Sequence, residues 1–332
     1  MKIKSQPYII AEIGINFDGR FQKALRLIND AKKAGVDAVK FQLFKPETLA
    51  NFNIATAKRK ELKLFKMWKK MSLNYDKVQK LKKFAKDKKL DFILSVFDID
   101  SLKIAEKIGV DALKIASSDI NDHNLLREIK RVKKAKILST GMASKKEIKK
   151  SIKILGHKNL YLLHCVSMYP CDYSFANLNK IQNLRKITKN VGYSDHTIGI
   201  DACLTAVTMN ACIIEKHFTN DKKIKGGDHL LSADLNDMKK IVTFKENYKK
   251  ILGNGALQPT KKELENSKNY RKGIYYLSNL KAGDLINNKN IVCRRPKKNG
   301  LDASKFNYLI GKKLKIDVKE RKIVKLNDFV KY

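Results

Sequence analysis

YIIAEIGINFDGRFQKALRLINDAKKAGVDAVKFQ, residues 8–42, holds the repeating unit of the fold. It opens on an apolar, β-branched run, YIIAEI (8–13), and closes on a second β-rich run, VDAVKFQ (36–42). Between them Phe21, Ala24, Leu25, Ile28 and Ala31 fall on one face of a helix spanning 21–34, and Gly35 supplies the stop. Two strands joined by one helix make a βαβ unit, whose crossover is right-handed and whose strands lie parallel.

The same alternation continues outward from this unit. Further β-rich runs stand at 91–97 (DFILSVF), 111–116 (DALKIA), 136–140 (KILST), 159–165 (NLYLLHC), 190–194 (NVGYS) and 212–217 (CIIEKH), with helical spacing between them. The runs at 136–140 and 190–194 carry the weakest pattern. Gly109 ends the helix before the fourth run as Gly35 does before the second. Eight βα units over roughly 250 residues predict a (β/α)8 TIM barrel of the α/β class, with an open doubly wound sheet as the runner-up. After Leu252 the texture changes to the polar, turn-rich GNGALQPTKKELENSKN, followed by short β-like runs and the turn Lys281-Ala282-Gly283-Asp284. The expected division is a barrel over 1–252, a linker over 253–270 and a small domain over 271–332.

Composition narrows the function classes. With 332 residues, 43% of them hydrophobic, the chain can bury a large core. Lys plus Arg number 71 against 33 Asp plus Glu, a formal charge of +38, which favours an anionic partner of some kind. The excess is mostly Lys and is spread along the chain in stretches such as Lys77 to Lys89, so a Lys-rich coding bias accounts for much of it. No nucleic-acid motif is present and aromatic residues are not interleaved with the basic runs, so nucleic acid is not the expected partner. The five Cys (165, 171, 203, 212 and 293) form no C-x-x-C pair and are odd in number, which argues against a disulfide framework and fits a reducing, cytoplasmic location. The most apolar stretch, Ala202 to Ile214, is too short to span a bilayer, and neither a signal peptide nor a membrane span is expected.

In a barrel of this kind the chemistry gathers where strands end and βα loops begin. Polar residues recur at those ends: Glu12; Lys40 and Gln42; Ser95; Lys114, with Ser117 and Asp119 beyond it; Ser139 and Thr140; His164 and Cys165, followed by Ser167 and Tyr169; Ser194, Asp195 and His196; and Glu215 with His217. Charges inside a barrel are costly unless paired or solvated at its mouth, so Glu12 in an apolar strand needs a partner. Lys40 and Lys114 together would pocket a phosphate or carboxylate. Ser117, Ser167 and Ser194 are either contacts to that anion or ordinary loop caps. His196 and His217 end neighbouring strands about 5 Å apart, close enough to share a metal. Two imidazoles, with water or substrate oxygens completing the shell, suit a divalent first-row ion such as Mn2+. Asp195 either orients His196 or caps the next helix, and His164 reads as a satisfied core histidine rather than a third contact. No P-loop or G-x-G-x-x-G is present, and the natural class is metal-assisted carbon–carbon bond formation or cleavage.

Seven blocks, AEIGINFDG (11–19), VKFQ (39–42), KIASSD (114–119), LSTGM (138–142), LLHCVSMYP (162–170), GYSDHTIG (192–199) and IEKHFT (214–219), resemble in this order the sialic acid synthase family. GDLINNKNIVCRRP (283–296) is similar to that family's C-terminal antifreeze-like (SAF, β-clip type) domain. The resemblance implies condensation of phosphoenolpyruvate with an open-chain N-acylmannosamine-type sugar, giving a nine-carbon 3-deoxy-2-keto acid and phosphate, with N-acetylneuraminate or legionaminate as the expected product. It implies that His196 and His217 hold the metal, Mn2+ ahead of Mg2+ or Co2+, and that Lys40, Ser95, Lys114, Ser117, Ser167 and Ser194 hold phosphoenolpyruvate. Glu12, Gln42, Phe97, Tyr169 and Asp228 would face the sugar, and Glu12 and Asp119 would serve catalysis. Arg295 would reach the acyl group from a partner's C-terminal domain, implying a domain-swapped homodimer.

The departures from the family pattern carry expectations of their own. Phe17 stands where His is usual, which would remove a polar group beside the Glu12 loop. Asp119 replaces a common Glu and is one methylene shorter. Gly226-Gly227-Asp228 replaces Gly-Pro-Asp, and Arg294 beside Arg295 leaves the functional arginine open by one position. The competing readings are a pseudaminate synthase, another phosphoenolpyruvate-condensing barrel acting on a phosphorylated aldose, a basic nucleic-acid-binding protein, and an inactive homologue.

Overall fold

The computed structural model describes residues 7–49 and 58–330. They form two compact units, Met1–Leu252 and Gly253–Tyr332. In the first, the strands β1 (Tyr8–Gly14), β2 (Ala38–Leu43), β3 (Asp91–Val96), β4 (Ala112–Ile115), β5 (Ala135–Ser139), β6 (Leu160–His164), β7 (Val191–Asp195) and β8 (Ile213–His217) follow the eight runs expected from the sequence, the two weakest included. All neighbours are parallel, and β1 pairs with both β2 and β8, so the sheet closes into a barrel. Helices follow the strands. The first, Phe21–Ala34, ends at Gly35 in the left-handed region (φ 82°), and Ile99–Ile108 ends at Gly109 in the same way (φ 74°). In the first helix Ala24, Leu27, Ile28 and Ala31 are buried while Phe21 and Leu25 pack half-buried against the core, so the buried face is turned slightly from the expected one.

Strand residues alternate between two cores. Ile9, Ala11, Val39, Phe41, Phe92, Leu94, Leu113, Leu138, Leu162 and Ile214 face the helices in one large apolar layer. Tyr8, Ile10, Ala38, Ile93, Ala112, Ile137, Leu163 and Ile213 fill the barrel interior as a separate plug. Two residues further along each strand, on the same inward face, stand Glu12, Lys40, Ser95, Lys114, Ser139, Cys165 and Glu215, with Ser194 on β7. A polar layer is therefore stacked directly on an apolar one, at the C-terminal ends of the strands.

In the second unit β9 (Gly273–Tyr276) and β10 (Ile291–Arg294) pair antiparallel, and single bridges such as Tyr275 to Ile323 and Leu280 to Val318 extend them. Ile274, Tyr276, Ile286, Ile291, Leu309, Leu314 and Val324 make its core. The stretch read as a linker is not all irregular: Lys261–Tyr270 is a helix, begun by a capping box between Thr260 and Glu263, with no buried residue. No helix among the described residues is long and apolar enough to cross a membrane.

Candidate active site

The inward polar layer forms one connected cluster. Lys40 Nζ lies 2.9 Å from Glu12 Oε2, donates to Ser95 Oγ at 3.1 Å and approaches Glu215 Oε1 at 3.6 Å. Lys114 Nζ donates to Ser139 Oγ at 2.6 Å and stands 4.0 Å from the same Glu215 oxygen, which also accepts from Ser194 Oγ at 2.9 Å. Gln42 Nε2 donates to Glu12 Oε1 at 3.1 Å. The expected partner of Glu12 is thus Lys40, and Glu215, a strand-end residue with no assigned role, ties the two lysines together. Its signal was the one that singled out Glu12: a carboxylate inside an apolar strand.

Burial and pairing set the charges. Burial raises the pKa of Glu12, with Lys40 opposing. Burial would lower Lys40, but Glu12 and Glu215 outweigh it and hold the ammonium above its ordinary value. For Glu215 the two lysines overcome burial and keep it ionised. Lys114, with the more distant counter-charge, is lowered by burial. The remaining Glu215 oxygen, Oε2, is buried without a hydrogen-bond partner.

Beside Lys114 three βα loops build a small concavity. Ser117, in the turn after β4, accepts the Gly141 N–H at 3.0 Å and lies 3.0 Å from Cys165 Sγ. A Cβ at Gly141 would stand 2.8 Å from Ser117 Oγ, 2.9 Å from Cys165 Sγ and closer still to Ser167 Oγ, so only glycine leaves this space open. Two hydroxyls and two ammonium groups at the ends of the alternate strands β2, β4 and β6 suit an oxyanion. Asp119 follows Ser117 in the same turn; burial raises its pKa to about 6, and its Oδ2 has no partner.

Across the mouth the rings of His196 and His217 are 5.6 Å apart between centroids. Tyr169, 55% exposed, lays its ring 4.1 Å from that of His196. His196 Nδ1 donates to the Val166 carbonyl at 2.6 Å, which leaves Nε2 free. Burial, then mutual proximity, lowers His196 to about 4; burial, then Lys40, lowers His217 to about 3. Both rings are therefore neutral near pH 7, the form that ligates metals. His217 Nδ1 is buried without a hydrogen-bond partner, with Asp228 Oδ2 3.5 Å away. Among the described residues no group of three or more His, Cys, Asp or Glu is arranged around one point. The two imidazoles fit a divalent ion that takes its other ligands from substrate or water.

Asp228 is held by the loops after β1 and β8. Its N–H meets Asn16 Oδ1 at 3.3 Å, its carbonyl accepts from Ser232 Oγ at 2.6 Å, and the adjacent His229 lies between Thr219 (2.7 Å) and Asp18 (3.1 Å). Asn16, Gly141 and His229 carried no functional reading in the sequence, and Cys165 stood there only as a strand-end residue without a role. Phe97, half-buried, packs edge-on against Phe44 at the end of β3. Arg294 and Arg295 are exposed on the second unit.

Two expectations are corrected. Phe17 is 2% exposed and packs against Phe41, itself stacked on Phe92, in the layer between barrel and helices. Its replacement of His therefore removes nothing from the mouth. Asp195 neither touches the His196 ring nor caps a helix: it faces outward and accepts from Thr197 N, Thr197 Oγ1, Tyr193 Oη, Cys203 Sγ and Lys216 Nζ. His164 is the core histidine the sequence suggested: it too faces outward, with Nε2 donating to the Ala176 carbonyl at 2.8 Å.

Residues 27–257 match the NeuB family. The N,N'-diacetyllegionaminic acid synthase of Campylobacter jejuni is 34% identical over 96% of this chain and 98% of its own. A pseudaminic acid synthase of the same species is 32% identical over 97% and 96%. The crystal structure of N-acetylneuraminic acid (sialic acid) synthetase from Leptospira borgpetersenii, in complex with citrate, superposes with a TM-score of 0.70 at 37% identity, covering 78% of this chain and 89% of that one.

Proposed function

This chain belongs to the NeuB family, and from that premise we propose that it condenses phosphoenolpyruvate with the open-chain aldehyde of an N-acylated mannosamine-type sugar. The observation that carries the reading is the buried Lys40–Lys114 pair beside the Ser117–Gly141–Ser167 concavity, opposite two neutral imidazoles. Relatives that bear the names of legionaminic and pseudaminic acid synthases support a nine-carbon keto-acid product, and the legionaminate or N-acetylneuraminate type is favoured.

In this reading Lys40 and Lys114 hold the carboxylate and phosphate of phosphoenolpyruvate, with Ser95, Ser117, Ser167 and Ser194 as hydroxyl donors. Glu12, Gln42, Tyr169 and Asp228 hold the sugar's hydroxyls, and Phe97 lines its pocket. The C3 carbon of phosphoenolpyruvate forms the new bond to the aldehyde carbon, whose oxygen takes a proton. Water adds at C2, and the resulting tetrahedral centre breaks its C–O bond to phosphate, its hydroxyl proton passing to the departing phosphate, leaving the ketone. Asp119, its pKa raised to about 6 by burial, accepts the proton that the water gives up, and Glu12 gives the aldehyde oxygen its proton. A divalent ion on His196 and His217, Mn2+ by preference, would polarise the aldehyde as a Lewis acid.

The reading extends to the assembly. Gly253–Tyr332 would be an antifreeze-like domain whose exposed Arg295 serves the site of a second copy in a domain-swapped homodimer, and the enzyme would act in the cytoplasm. Phosphate release from phosphoenolpyruvate with Mn2+, assayed against N-acetylmannosamine and a 6-deoxy diacetamido sugar with a no-sugar control, tests the activity and identifies the acceptor. Sugar-independent release, or none with either sugar from a protein that binds both Mn2+ and phosphoenolpyruvate, overturns it.

A further inference from the structure

The fully buried ion pair Asp195–Lys216 stands one residue before each imidazole of the mouth, on the opposite face of the same two strands. Asp195 and Lys216 are register partners in the β7–β8 ladder, and their side chains meet at 2.7 Å between the barrel and its helices. Asp195 is 0% exposed and Lys216 1%. Strand alternation sends these two outward and the next residues, His196 and His217, inward. Asp195 also grips the far side of His196: its Oδ1 accepts from the Thr197 N–H at 2.9 Å and its Oδ2 from the Thr197 hydroxyl at 3.1 Å. Lys216 Nζ donates to the Thr197 carbonyl at 2.5 Å. Tyr193 Oη, two residues earlier, completes the set at 2.9 Å. His196 is thus the middle residue of a clip whose two ends are tied to the residue preceding His217.

We infer that the Asp195–Lys216 pair is a positioning device that fixes the separation of the two imidazoles and so sets the affinity of the site for a divalent cation. The inference rests on the reading that His196 and His217 hold the metal. It does not act through ring hydrogen bonds, since the His196 ring is oriented by the Val166 carbonyl. An ion pair is an expensive thing to bury where packing alone would join two strands, and a buried pair removed on one side leaves an uncompensated charge. Its five outward hydrogen bonds go to Tyr193, Thr197 and Cys203, on the segments that carry the imidazoles or on the helix Asp201–Thr208 behind them, which is what a geometric constraint requires.

The test uses the full chain stripped with a chelator and titrated with Mn2+ alone, by calorimetry and by the electron paramagnetic resonance of free and bound Mn2+. Asp195→Asn combined with Lys216→Met keeps the shape and leaves no lone buried charge, and Lys216→Arg keeps the cation. The double variant is expected to fold, by circular dichroism and thermal melting, yet to bind Mn2+ about 10- to 100-fold more weakly, the range for residues that orient metal ligands from behind. Lys216→Arg should recover part of that loss. A folded double variant with wild-type Mn2+ affinity overturns the inference while His217→Ala still abolishes binding. If His217→Ala binds Mn2+ as the wild type does, the metal reading itself falls and takes the inference with it.

Discussion

Replacing Gly141 by Ala tests the phosphate site at its tightest point. The added methyl would stand 2.8 Å from Ser117 Oγ and 2.9 Å from Cys165 Sγ, with Ser167 Oγ nearer still, all inside normal carbon contact. The hydroxyls of Ser117 and Ser167 must rotate away or the loops must move. Each hydroxyl bond to a charged phosphate is worth about 1.5–3 kcal/mol, so losing both at the low end costs about 3 kcal/mol, or roughly 100-fold. The loss should appear in KM and in kcat/KM for phosphoenolpyruvate, read by phosphate release, and in a weakened calorimetric affinity for phosphoenolpyruvate. Mn2+ affinity should hold, because the imidazoles follow β7 and β8 whereas Gly141 follows β5. Ser117→Ala and Ser167→Ala should each cost about tenfold by the same reasoning. A Gly141→Ala enzyme with an unchanged KM for phosphoenolpyruvate and an unchanged melting temperature would show that the phosphate lies elsewhere.

Four further outcomes follow from the charges. Glu215→Gln removes the carboxylate that Lys40 and Lys114 share; the fold should lose roughly 3 kcal/mol, read by denaturant titration, and phosphoenolpyruvate should restore part of it by supplying negative charge. An unchanged denaturation midpoint would remove Glu215 from the centre of the cluster. Asp119 loses its proton near pH 6, so a base role predicts kcat/KM rising through that pH, and Asp119→Asn should flatten this limb; its persistence in the variant would assign it to another group. The same raised pKa means that the fold binds an extra proton between the ordinary aspartate value, about 4, and about 6. Stability from this group is therefore lost as pH rises through that window, and Asp119→Asn should abolish that slope in thermal melts. With a formal charge of +38, encounter with a trianionic substrate should slow as ionic strength rises from about 0.01 M to about 0.15 M. A salt-independent kcat/KM would leave the lysine excess without a kinetic role.

The barrel was legible because each βα unit repeats the same two periodicities, and even the weak runs at 136–140 and 190–194 needed only their neighbours to pair. The polar mouth was legible for a related reason: charged residues inside otherwise apolar strands have few affordable places. What period two does not tell is which of two adjacent polar residues faces inward. Asp195 and His196 are both polar, and the outward one became structural. Phe17 follows Glu12 closely in sequence, but the turn over residues 15–20 returns the chain to the helical layer, where an aromatic ring packs and the usual His would not. Gly141 escaped notice because its meaning is a space shared by three loops distant in sequence. The helix Lys261–Tyr270 carried a readable capping box, Thr260 to Glu263, but no apolar face, so nothing separated it from a polar linker.

The inward layer also explains why so basic a chain keeps its binding residues in check. Within the barrel Lys40 and Lys114 are matched by Glu12 and Glu215, so the formal charges of this layer cancel and its lysines are already engaged. If the proposed trianion binds there, it must displace a carboxylate from them. Glu12 is the one that can yield, because burial holds its pKa up and a proton would neutralise it, whereas Glu215, with both lysines and Ser194 on one oxygen, keeps its charge. On the proposed reading a protonated Glu12 would face the sugar as an acid, beside Gln42, where the aldehyde oxygen takes its proton. Binding of the anion and arming of the acid would then be one event, driven by the same buried lysine.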